Sequence, residues 1–132
     1  STDDLFELRV LLEVDAIELA IKKATDDDLK LLAAELEEFE KSIPSGDLRL
    51  LADLDFRFHL RVLQISNNSS FIKISKLIMQ LFAYPIEEAL KLIGPRQVLE
   101  NHRALYQAIV DRDLLRAKEH VVRAFESSRQ FL

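Results

Sequence analysis

The three histidines of this 132-residue chain could bind a metal ion, because each interrupts the apolar face of a different predicted helix. His59 follows Asp55 by four residues, a spacing that stacks both side chains on one helical face. His102 and His120 fall on two later helices. Imidazole nitrogens with one carboxylate suit zinc, nickel, cobalt or manganese. The alternative is that each histidine is a core residue, satisfied by a backbone carbonyl or a water molecule.

Arg9 is a second candidate for chemistry, since apolar residues flank it in the first predicted helix. If its guanidinium faces the protein interior, it can hold a ligand carboxylate through two parallel hydrogen bonds. If it faces solvent, it can pair with Glu13 at the i+4 position. Residue type alone leaves both interpretations open.

The composition favours an all-α protein. Hydrophobic residues make up 48% of the chain, whereas glycine occurs twice and proline three times. The absence of cysteine excludes disulfides and thiolate zinc sites. The net charge of −5, without a basic cluster, argues against nucleic-acid binding by these residues themselves. Neither a membrane span nor a signal peptide is predicted, so we expect a cytoplasmic location.

Helical periodicity and breaking residues predict a single antiparallel bundle of about six helices. Thr25 should cap the second helix, and Pro44 with Gly46 should separate the second from the third. Pro85 falls inside the fourth predicted helix and should kink it. The six predicted helices cover residues 3–24, 26–42, 47–66, 70–93, 95–112 and 113 to near the C-terminus.

Catalytic motifs are missing from the sequence. It has no glycine-rich phosphate loop, no Gly-x-Ser-x-Gly, no cysteine nucleophile and no His-Glu-x-x-His. We therefore expect a protein that is not an enzyme. A metal-dependent hydrolase or lyase on a helical bundle, or a structural helical dimerisation module, remains as an alternative.

Three motifs in a fixed order resemble a known family. The motifs are Glu7-Leu8-Arg9 with Leu12-Glu13, Leu54-Asp55 with Phe58-His59, and Glu100-Asn101-His102-Arg103-Ala104-Leu105 with Ala108-Ile109 and Arg112-Asp113 after it. With these motifs, the chain resembles throughout its length the FCD domain, the C-terminal effector-binding domain of many GntR-family bacterial transcription regulators.

The resemblance implies a pocket that contains a divalent metal, with zinc or nickel expected before manganese or cobalt. Asp55, His59 and His102 match three of the family's ligands. The fourth family histidine aligns with Ala124, and His120 lies one helical turn earlier. A shift of about 5.4 Å along the helix is large beside a metal–ligand bond of about 2 Å, so the site could have three ligands, be rebuilt around His120 or lack a metal. Of these alternatives, we expect His120 to supply the fourth ligand.

The resemblance also implies what the pocket and the parent protein bind. The expected effector is a small carboxylate or sugar acid, and Arg9 matches an arginine near the family's pocket. Separately from the resemblance, we expect Asn67 or other polar groups near the end of the third predicted helix to assist Arg9. The domain is expected to form a homodimer. Operator DNA would be bound, in a repressor, by an N-terminal winged helix-turn-helix that is not among these 132 residues.

Overall fold

The computed structural model describes residues 2–81 and 83–128, which form seven α-helices and one short 3-10 helix. The all-α prediction is confirmed, since this part of the chain contains no strand. None of the described helices is long and apolar enough to cross a membrane. The helices are α1 (Thr2–Lys23), α2 (Asp26–Ser42), α3 (Leu48–Ile65), α4 (Ser69–Gln80), α5 (Ala83–Ile93), α6 (Pro95–Val110) and α7 (Leu114–Ser128), and the 3-10 helix is Ile43–Ser45.

Local capping interactions set the helix ends that the sequence predicts. Thr25 accepts a hydrogen bond from the Asp28 amide, and the Asp28 carboxylate accepts one from the Thr25 amide at 2.9 Å. This reciprocal pair satisfies two amides that the first turn of α2 leaves without helical partners. After the 3-10 helix, Gly46 adopts a φ of 65°, which glycine tolerates without steric cost. Asp47 then caps α3.

The prediction of a single kinked helix over residues 70–93 is wrong, because the structure has two separate helices there. α4 ends at Gln80 and α5 begins at Ala83, so Pro85 is the third residue of a new helix. In a first turn the missing proline N–H has no helical acceptor to lose. The chain therefore breaks before the proline instead of bending at it. As a result, α5 is an independent element that packs on α3, α6 and α7.

The core lies between α3 and the helices that surround it. α3 packs on α1, α2, α4 and α5, and α6 packs on both α2 and α7. The side chains of Leu51, Phe58 and Val62 on α3 are almost completely buried. Each buried aliphatic or aromatic side chain contributes about 1.5–3 kcal/mol to stability. This apolar face also carries Asp55 into the interior.

The C-terminal end of α1 is fastened to two other parts of the bundle. Arg112, in the turn between α6 and α7, donates hydrogen bonds to the carbonyl oxygens of Ile21 and Ala24, the second at 2.9 Å. Lys23 donates from Nζ to the carbonyl oxygen of Ser66 at 2.6 Å. These bonds satisfy carbonyl groups that the last turn of a helix leaves without helical partners.

Candidate metal centre

Asp55 and His59 on α3 meet His102 on α6 inside the bundle. The carboxylate and the first imidazole lie one turn apart on the buried face of α3, because residues four apart share a helical face. One possible ligand atom from each of the three residues lies within 4.8 Å of the other two. Among the described residues, this is the one cluster of three or more such groups.

The separations within this triad fit a single divalent cation. Tetrahedral zinc with bonds of about 2.1 Å places its ligand atoms about 3.4 Å apart. The two Nε2 atoms of His59 and His102 are 3.2 Å apart, and His59 Nε2 lies 3.7 Å from Asp55 Oδ2. His102 Nε2 lies 2.8 Å from Asp55 Oδ1, which is a hydrogen-bond distance that coordination by both atoms would widen slightly. The donor set and its spacing therefore suit zinc, nickel, cobalt or manganese.

The surroundings of His102 fix which of its nitrogens faces the centre. Its Nδ1 lies 2.7 Å from the carbonyl oxygen of Val98, one turn earlier on α6. A carbonyl only accepts, so Nδ1 carries the proton and Nε2 points towards Asp55 and His59. The Phe58 ring packs edge-on against the His102 imidazole, with centroids 4.9 Å apart, and holds its orientation. This is the arrangement that commonly orients a metal-binding histidine.

Glu13 on α1 contacts the triad, and the sequence prediction did not include it as a site residue. Its Oε2 lies 3.7 Å from His59 Nδ1, and the side chain is buried. A carboxylate against the outer nitrogen of a histidine fixes the ring orientation and raises its basicity as a ligand. The spacing contained a signal, because Glu13 is one turn after Arg9 and must share its face if Arg9 points inwards.

Burial and charge oppose each other at the carboxylates and at His59. Burial alone favours the neutral forms, but the charges of His102, His59 and Arg9 outweigh it and hold the pKa of Asp55 at about 2. Burial likewise raises the pKa of Glu13, yet its contact with His59 and the charge of Arg9 bring it below the ordinary value. Burial lowers the pKa of His59, but Asp55 and Glu13 reverse that effect and raise it. The site thus stabilises positive charge at its centre.

Arg9 is buried and faces the interior, so the surface alternative does not describe it. Its Cζ lies 4.7 Å from the ring centroid of Phe125, a distance at which a guanidinium is attracted to an aromatic face. Burial lowers the pKa of Arg9, against the charges of Glu13 and Asp55 that raise it. An arginine remains charged under such a shift, and the interior therefore holds a guanidinium within reach of the centre.

A cavity of about 360 Å³ connects these groups. Its lining is contributed by α1, α3, α5, α6 and α7, and Arg9, Asp55, His59 and His102 all belong to it. This volume lies in the range of small-molecule binding sites. The residues that line it are Arg9, Glu13, Asp55, His59, Ile86, Ala89, Leu90, Ile93, Val98, Asn101, His102, Leu105, His120, Val121, Arg123, Ala124 and Phe125.

The other two predicted site residues lie at different distances from the centre. His120 is half-buried on α7 and lines the cavity, but it does not belong to the triad. Its role as a fourth ligand stays a prediction. Ala124, one turn later, lines the same cavity. Asn67 is exposed in the turn after α3 with a φ of 51° and does not line the cavity. Its assistance to effector binding stays a prediction.

Comparison with known proteins places the chain in a family. The sequence profile of the FCD domain matches residues 4–127. The uncharacterised HTH-type transcriptional regulator YdhC of Bacillus subtilis (strain 168) is 27% identical over 135 residues, covering 98% of this chain and 59% of YdhC. The chain thus spans about three-fifths of that relative.

Solved structures resemble the bundle over almost its whole length. E. coli McbR/YncC superposes with a TM-score of 0.85 at 20% identity, which covers 98% of this chain and 66% of that one. Streptococcus agalactiae GntR superposes with a TM-score of 0.75 at 30% identity, covering 98% of this chain and 58% of that one. With fold and sequence in agreement, the chain belongs to the FCD domain family, which is found in GntR-type transcriptional regulators.

Proposed function

We propose that this FCD domain is the ligand-sensing and dimerisation domain of a bacterial transcription repressor, and that it binds a small carboxylate or sugar acid beside a divalent metal. One observation carries the proposal. The same cavity holds a triad suited to a metal and a buried guanidinium suited to a carboxylate. Relatives named as transcriptional regulators support a sensor over a hydrolase or lyase.

Asp55, His59 and His102 would hold the metal, which we expect to be zinc or nickel before manganese or cobalt. His120, from the facing helix α7, would complete the set. The metal would supply concentrated positive charge that attracts an anionic oxygen. Phe58 and Glu13 would keep the two imidazoles oriented, so that the site is ready before the metal arrives.

Arg9 would bind the effector carboxylate. A dication with one aspartate ligand leaves an excess of positive charge, and an acid would neutralise it. The planar guanidinium can donate two parallel hydrogen bonds to a carboxylate, which fixes its orientation as well as its position. Because Arg9 lies on α1 and the triad on α3 and α6, a bound acid would connect three helices.

Regulation would require that the acid prefer one conformation of the whole protein. A ligand shifts an equilibrium only through its different affinities for the two states. We propose that operator DNA is bound by a winged helix-turn-helix outside these residues, that the protein is cytoplasmic, and that the FCD domain forms a homodimer. α4 and its C-cap offer an apolar stripe for that contact, since Ile74 and Leu77 on α4 and Leu81 at the cap are exposed at i, i+3 and i+7.

Metal analysis followed by calorimetry tests this function. The purified protein should contain, or take up, about one divalent metal ion per chain, and the loaded protein should bind organic acids without converting them. Turnover of esters, phosphates or hydroxy acids would instead favour the enzyme alternative. If the protein binds neither metal nor acid, a structural dimerisation module is the one remaining explanation of its function.

A further inference from the structure

The cavity has chemically distinct walls. Every lining residue from α1 and α3 is polar or charged, whereas every described lining residue from α5 is aliphatic. The four α5 residues occur at the i, i+3, i+4 and i+7 positions of one helical face. They are Ile86, Ala89, Leu90 and Ile93. The lining from α6 and α7 is mixed: Val98, Leu105 and Val121 extend the apolar wall, whereas Asn101, His120 and Arg123 are polar or charged.

An aliphatic wall of this kind discriminates between classes of acid. A sugar acid carries a hydroxyl on almost every carbon, and hydroxyls placed against α5 would lose their water without gaining a partner. An acid with a hydrocarbon body would instead bury that body against the same residues at a gain proportional to its area. The wall therefore favours an acid with one polar end and one apolar end.

Glu13 adds a requirement at the polar end. Glu13 is one of the lining residues; its Oε1 atom is buried and has no hydrogen-bond partner among the described residues, while its Oε2 faces His59. Buried carboxylate oxygens are almost always hydrogen-bonded, and an ionised carboxylate can only accept. A ligand that carries a donor close to its carboxylate would satisfy this oxygen.

We infer that the effector is a monocarboxylic acid with a hydroxyl group next to the carboxylate and a branched or linear aliphatic body. This inference rests on the proposed sensor function. Arg9 takes the carboxylate, Glu13 Oε1 accepts from the hydroxyl, and α5 packs on the aliphatic body. A hydroxyl suits the position better than an ammonium group, because Arg9 and the metal already supply positive charge. A volume of about 360 Å³ accommodates an acid of this size but not an acyl-coenzyme.

Calorimetry on the metal-loaded protein with a matched set of acids tests the inference. The set is α-hydroxyisocaproate, isocaproate without the hydroxyl, glycolate without the aliphatic body, gluconate, citrate and leucine. We expect α-hydroxyisocaproate to bind most tightly. Loss of the hydroxyl should weaken binding at least tenfold, because the buried oxygen of Glu13 is then left without a donor.

Two variants locate the two contacts. In Glu13→Gln, the preference for α-hydroxyisocaproate over isocaproate should shrink several-fold, whereas a purely structural defect would weaken both acids equally. Ile86→Ala should weaken α-hydroxyisocaproate about tenfold and leave glycolate unchanged. Leu92→Ala is the matched control, because Leu92 is on the same helix but is 69% exposed and does not line the cavity.

The outcomes separate this inference from the sensor proposal. Tighter binding of gluconate or citrate would overturn the inference and leave the sensor intact. Equal binding of isocaproate and α-hydroxyisocaproate would show that Glu13 does not accept a hydrogen bond from a ligand hydroxyl. Tighter binding of leucine would show that the effector carries an ammonium group at that position and not a hydroxyl. If none of the acids binds, the sensor proposal itself fails.

Discussion

Replacing Asp55 by asparagine should abolish most of the thermal stabilisation that zinc gives this protein. Asparagine preserves the shape of the buried side chain but removes its negative charge, which His102 faces at 2.8 Å from Oδ1 and His59 at 3.7 Å from Oδ2. A neutral amide is a poor ligand for zinc beside two imidazoles. The comparison uses the shift in melting temperature on adding metal, so any change in the stability of the metal-free variant cancels.

The expected shift follows from the size of the chain. For 132 residues, an unfolding entropy of about 2.1 cal/mol/K per residue means that each kcal/mol moves the melting temperature by about 3.6 °C. Zinc at one hundred times its dissociation constant stabilises the folded state by about 2.7 kcal/mol, or about 10 °C. A loss of about 100-fold in affinity leaves about 0.4 kcal/mol at the same zinc concentration, or about 1.5 °C.

Circular-dichroism melting with and without zinc measures both shifts. Asp53→Asn is the matched control, since Asp53 is two residues earlier on α3 and exposed. The control should keep the shift of about 10 °C. If Asp55→Asn keeps it too, the triad does not bind the metal. If Asp53→Asn loses it as well, the effect of zinc is one of surface charge and the argument from ligand geometry is wrong.

Four further predictions follow from the same site and surface. Arg9→Lys should weaken organic-acid binding in calorimetry while leaving the metal content unchanged, and undiminished affinity would remove Arg9 from the acid site. His120→Ala should weaken zinc binding as much as His102→Ala does, and an unchanged zinc affinity would exclude it as a ligand. Leu77→Glu should convert a dimer to a monomer in light scattering, whereas Leu115→Glu, at a residue that is 71% exposed on α7, should not. With a chelator present, the raised pKa of His59 should stabilise the folded protein below about pH 6.5, and this stabilisation should be lost as the pH rises through the pKa that His59 has in the folded state. A melting temperature that does not fall over that pH range would contradict the contacts of His59 with Asp55 and Glu13.

The parts of the fold that depend on residues adjacent in sequence can be predicted from the sequence. The cap at Thr25, the break at Gly46 and the helical class follow from local patterns, and the structure confirms each of them. The predicted kink at Pro85 is wrong because a proline indicates an interruption of a helix without fixing on which side of it the helix breaks.

For the site, the sequence predicts which residues share a face of one helix, but not which helices bring their residues together. The i, i+4 pair of Asp55 and His59 could be read directly, but the approach of His102 depends on how α6 packs against the bundle. The burial of Glu13 and the aliphatic wall of α5 are likewise tertiary features. The spacing places Glu13 on the same helical face as Arg9, but it does not decide whether that face is buried or exposed to solvent.

The two bonds from Arg112 and the bond from Lys23 give α1 a fixed pivot at one end. At 1.5 Å per residue, Glu13 lies about 15 Å from that pivot and Thr2 about 32 Å from it. A rigid rod that turns about its anchored end moves in proportion to the distance from the anchor. A displacement of about 1 Å at Glu13 would therefore become about 2 Å at Thr2. An effector that displaces Glu13 from within the cavity would therefore move the N-terminal end of α1 by about twice that distance.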